Sequence, residues 1–64
     1  MNWIAENESL TLPGTGIEIR LAEHPGIPFT LHSPIHNPMA YWTLNSAKAA
    51  GEHLAQEAAN FFAN

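Results

Sequence analysis

The stretch from Thr43 to Asn64 is the only part of the chain long and periodic enough to specify a helix by its own pattern, and the rest must be arranged around it. Leu44, Ala47, Gly51, Leu54, Ala58, Phe61 and Phe62 recur at spacings of three and four, which gathers them into one stripe of a helix turning every ~3.6 residues. Asn45, Lys48, Glu52, His53, Gln56, Glu57 and Asn60 fall on the other side. Either Thr43 or Asn45 can place a side-chain oxygen over the free N–H groups of the first turn, and Thr43 is preferred because it sets Leu44 inside that turn. The interior is dense in alanine, the best helix former. Gly51 is the exception, since a glycine there costs roughly 1 kcal/mol relative to alanine. Its place on the apolar stripe predicts close approach of the helix to a sheet.

Before the helix the pattern has the period of strands. Ser9 to Leu12 alternates polar and apolar residues, with Trp3 and Ile4 upstream as an early strand or an apolar flap. Pro13-Gly14-Thr15-Gly16 is a turn, because proline presets one dihedral and glycine accepts positive φ. Ile17, Ile19 and Leu21 then point one way and Glu18 and Arg20 the other, the signature of a half-buried strand. A turn is expected at Glu23-His24-Pro25-Gly26. Ile27 to His32 follows, with Phe29 and Leu31 inward and Thr30 and His32 outward, and Pro28 marks its beginning. Ser33 to Pro38 reads as a loop and Met39 to Trp42 as a last short strand. The expected fold is α+β: a small antiparallel sheet of three or four strands over residues 9–42, with one C-terminal helix over 44–62 on its apolar face, in a single domain.

At 64 residues the chain is near the lower size at which one core suffices without a disulfide or metal. It contains no cysteine, so a cytoplasmic setting is the default. Charged residues make up 12 % and the net charge is −4, with Arg20 and Lys48 the only cations besides histidine. Such a surface is a poor partner for phosphate backbones, and no apolar run has the length of a membrane span.

Chemistry has few places to reside. Four histidines raise a metal reading, but His32 and His36 are separated by a proline-containing loop, and zinc needs three or four donors. Ser33 beside His32 and His36 is the nearest approach to a nucleophile and base. No metal, no cofactor and no enzyme activity are expected. Met39, Tyr41 and Trp42 are of the residue types enriched at interfaces. Phe62 joins them, because it and Phe61 point about 100° apart on a helix and one can complete the core while the other meets a second copy, with Trp42 or an exposed strand edge as the competing contact. A homodimer is therefore expected. Arg20, His32 and His36 are the candidates for holding a small anionic ligand.

A short β-meander ending in Tyr41-Trp42 and followed by Thr43-Leu44-Asn45-Ser46-Ala47-Lys48-Ala49-Ala50 resembles small sheet-plus-helix accessory proteins of bacteriophages and mobile elements. The resemblance implies a stand-alone phage or prophage product, sometimes an inhibitor of a host enzyme or defence system. The resulting expectation is a non-enzymatic protein that binds a bacterial protein. The alternative is a protein that sequesters a nucleotide-like ligand in a pocket between subunits.

Overall fold

The computed structural model describes residues 2–63, with side chains through residue 60. Strands β1 (Ile4–Glu6), β2 (Ser9–Leu12), β3 (Ile17–His24), β4 (Ile27–His32) and β5 (Met39–Tyr41) precede helix α1 (Leu44–Ala63). They form one sheet in the order β1-β2-β3-β4-β5, with every neighbouring pair antiparallel. The α+β class and the helix on the sheet agree with the sequence. The strand number does not, being five rather than three or four.

The added strand is β1. Ile4, Ala5 and Glu6 pair with Thr11, Leu10 and Ser9 through a tight turn in which Asn7 takes φ 48°. Asparagine tolerates this left-handed conformation better than most residues. Three residues are too few to show alternation, so this strand is specified by the edge of β2 more than by its own pattern.

Leu10, Ile19 and Leu31 stand opposite one another across β2, β3 and β4, as do Leu21, Phe29 and Tyr41 across β3, β4 and β5. This is the face on which α1 packs, against β3, β4 and β5. The core is Leu12, Ile17, Ile19 and Leu31 from the sheet with Ala47 and Ala55 from the helix. Ala55 lies outside the stripe read from the sequence; the helix turns its alanines inward because small side chains let it approach the sheet.

A helix is about 10–12 Å across, whereas five strands at about 4.8 Å spacing span roughly 19 Å. One helix therefore leaves the β1–β2 side of the apolar face open. Trp3 fills it. Its ring packs against the core cluster and lies over Gly51, where a Cβ would stand 2.7 Å from Trp3 Cη2 and 3.3 Å from Ile17 Cγ2. Its indole N–H donates to Glu52 Oε2 at 2.9 Å. Gly51 is thus a point of close approach, as its position on the stripe predicts, with the tryptophan ring nearer than the sheet.

At the start of the helix the Thr43 hydroxyl accepts the Ser46 N–H at 3.1 Å, which identifies Thr43 as the cap. The Pro13–Gly16 turn forms with Gly14 and Gly16 at φ 78° and 75°. The next turn is tighter than expected. β3 runs on to His24, and an irregularity interrupts its pairing with β4 between Leu21 and His24, where Ala22 takes φ 51°.

Candidate functional site

The bulge at Ala22 determines what the open face of the sheet carries. Side chains alternate along a strand, so an uninterrupted β3 would place Ala22 on the side of Arg20. The extra residue shifts that alternation and brings Glu23 there instead. Glu23 Oε1 accepts Arg20 Nη1 and Glu23 Oε2 meets His32 Nε2, each at 2.7 Å. Arg20 Nε donates to Glu18 Oε1, also at 2.7 Å. His24 Nε2 lies 3.5 Å from Glu23 Oε2. The hydrogen bond from Arg20, followed by that from His32, holds the Glu23 carboxyl below the usual glutamate range.

The sign of that shift sets a pH dependence. A carboxyl whose folded pKa lies below its unfolded one contributes stability above the unfolded value and loses it as pH falls through the folded one. Wild type is therefore expected to melt higher than Glu23→Gln at neutral pH. The two melting curves should converge in acid, below the ordinary glutamate range. A difference that persists unchanged at low pH would remove Glu23 ionisation as its source.

Thr30 is directly opposite Arg20 and Ala40 in the two ladders. Although alternation sends its side chain outward, it is only 4 % exposed, and its Oγ1 is buried without a hydrogen-bond partner. A buried unpaired hydroxyl costs about 1–3 kcal/mol. Thr30→Val keeps the branched shape and removes the hydroxyl, so it is expected to stabilise the fold by roughly 1 kcal/mol. Urea unfolding checks this, and a loss of stability would show that the hydroxyl has a partner in solution.

Of the ligand-binding candidates, Arg20 and His32 are brought together, but around Glu23. His36 is not part of that network: it sits in the loop after β4, where its backbone N–H donates to Ser33 Oγ at 3.2 Å. The Ser33 hydroxyl also accepts the Ile35 N–H, which makes it a brace for the loop. His53 and Glu57 pair on the exposed face of α1 at 3.0 Å. Among the described residues no group of three or more histidine or carboxylate side chains is placed to hold a metal ion, and no helix is long and apolar enough to cross a membrane.

The interface candidates Met39, Tyr41 and Trp42 lie at the β5 end of the sheet. Tyr41 is half-buried against the core, with its hydroxyl 3.9 Å from Met39 Sδ. Met39 is 48 % exposed and Trp42 79 %. Ile27, Pro28, Ala40, Tyr41 and Trp42 line a shallow apolar hollow of about 220 Å³. The side chain of Phe62 lies outside the described residues.

β5 is an edge strand with β4 as its one strand neighbour, so its outer backbone N–H and C=O groups face no other strand. From His24 to Ala47 the chain contains no Asp, Glu, Lys or Arg. Every formal charge therefore belongs to β1–β3, their turns and the helix, while β4, β5 and the loops around them carry none. Sequence reasoning missed Ile27, Pro28 and Ala40 as parts of this surface, and that charge-free run is the signal that points to them. No known protein family, characterised protein or solved structure matches this chain.

Proposed function

We propose that this chain is a non-enzymatic protein-binding module, a phage or prophage accessory product acting on a bacterial protein, and that it makes contact through the β5 corner. The observation that carries this reading is Trp42, 79 % exposed beside an edge strand in a region without formal charge. Desolvating charged side chains is costly, and tryptophan is among the residues most often responsible for binding energy. The polar network on the open face supports the same assignment, since Arg20 and His32 are already engaged by Glu23 and offer less to an anionic small molecule.

The test is capture from bacterial lysate by tagged wild type and by Trp42→Ala. Saturable capture of a defined protein, lost in Trp42→Ala, is the expected result. Capture that is indifferent to Trp42 would overturn the assignment of the surface. The absence of saturable capture by wild type would overturn the binding reading.

A further inference from the structure

The open hydrogen-bonding edge of β5 fits one occupant particularly well. We infer that two copies of this chain pair through β5, antiparallel about a two-fold axis at Ala40, to form one continuous ten-stranded sheet. This rests on the proposed binding function, because it describes the form in which the Trp42 surface is presented.

The argument begins with register. A two-fold pairing centred on Ala40 is the alignment that pairs every residue of a strand running from Met39 to Tyr41. It sets Ala40 against Ala40 of the other copy, and Met39 against Tyr41. Small residues then meet at the axis, where two identical side chains must share space. A thioether meets an aromatic ring on each side of it, a favourable contact. Within one chain the Tyr41 hydroxyl already donates to Met39 Sδ at 3.9 Å, so the two side chains share one face of the strand. On the opposite face of the sheet Trp42 falls against Pro38, which has no N–H to donate and ends the ladder there.

Charge selects this edge over the other. Each copy carries a net charge of −4, so self-association is opposed wherever carboxylates would be brought together. The β1 edge carries Glu6, and Glu8 follows in the adjoining turn. The β5 edge belongs to the charge-free run from His24 to Ala47. Closure points the same way, because β5 against β5 is isologous and finite, whereas β1 against β5 would propagate into a fibre.

The buried area sets the affinity. Covering Met39, part of Trp42 and the strand itself on both copies removes less than about 1,000 Å² from water, the size of a weak, transient interface. A micromolar dimer is expected. Edge pairing leaves the outer side of both Trp42 rings on one face, about 14 Å apart by strand geometry, so the dimer offers a foreign partner two anchors instead of one.

The chain has no cysteine, so a single substitution reads out the register. Directly opposite residues in an antiparallel pair have Cα atoms about 4.5–5.5 Å apart, within the range a disulfide bridges. Under mild oxidation Ala40→Cys should convert to a covalent dimer. Met39→Cys, whose counterpart lies diagonally at about 7–8 Å, should do so far more slowly. Sedimentation equilibrium should show a wild-type dimer below about 100 µM. Ala40→Glu, which opposes two like charges at the axis, should weaken it by at least about tenfold while far-UV circular dichroism stays unchanged.

A wild type still monomeric at about 100 µM overturns the dimer, and an Ala40→Glu protein that dimerises as well as wild type overturns the edge. Equal cross-linking at Met39→Cys and Ala40→Cys overturns the register. A monomer that retains Trp42-dependent capture refutes the dimer alone, and a dimer without such capture refutes the foreign partner alone.

Discussion

Replacing Gly51 by leucine is expected to lower stability by about 1–3 kcal/mol, the usual cost of overpacking. The space a Cβ would occupy there is already bounded by Trp3 and Ile17 at 2.7 and 3.3 Å. Alanine gives the more informative comparison. In an open helix Gly→Ala gains roughly 1 kcal/mol from propensity, but a Cβ at 2.7 Å from Trp3 Cη2 forces the ring to move. Movement strains the indole hydrogen bond to Glu52 and uncovers the β1–β2 side of the core. Gly51→Ala is therefore expected to destabilise wild type and to be better tolerated in a Trp3→Ala protein, where Ile17 Cγ2 at 3.3 Å still opposes the roughly 1 kcal/mol gained from propensity. Denaturant unfolding of the four proteins in that cycle measures both. An equal gain in the two backgrounds would show that the ring yields without cost and that Gly51 has no packing role.

A larger effect is expected at Ile19. It is 0 % exposed and pairs with Leu10 on one side and Leu31 on the other, at the centre of the sheet and under the helix. Truncating a buried isoleucine to alanine costs about 2–5 kcal/mol, the transfer term plus the cavity. Natural domains hold about 0.05–0.15 kcal/mol per residue, so a chain of 64 residues has little beyond that loss. Ile19→Ala should be largely unfolded at 37 °C. Ile19→Val, which removes one methyl group, should cost only about 0.5–1.5 kcal/mol. Similar, small losses for both would show that neighbouring side chains collapse into the cavity.

The elements with enough residues to display a period were legible from the sequence: α1 with its Thr43 cap, the alternation of β3, and the glycine turn before it. β1 was legible only as one of two readings of Trp3 and Ile4, an early strand or an apolar flap, because its strand character comes from β2 and from a left-handed Asn7. The Ala22 bulge left no sign at all, since alanine is no more suited to φ 51° than most residues. Its effect is tertiary, bringing Glu23 across to Arg20 and His32. Alternation placed Thr30 on the open face correctly but says nothing of burial there, which depends on what flanks it. Arg20 and His32 were recognised as polar neighbours, yet their common partner could not be seen without the bulge. The β5 corner was half legible. Its aromatics stand out by type, whereas the edge position and the charge-free surroundings gain meaning only once the strand order is known.

Trp3 has a kinetic meaning as well. Each strand pairs with its neighbour in sequence, so the sheet assembles from local contacts, and topologies of that kind fold quickly. The bond from Trp3 to Glu52 spans 49 residues and can close only after the meander and the helix are both in place. Contacts made after the transition state govern how fast a protein opens more than how fast it forms. Trp3→Ala is therefore expected to speed unfolding more than it slows folding, the behaviour of a latch closed on the completed molecule.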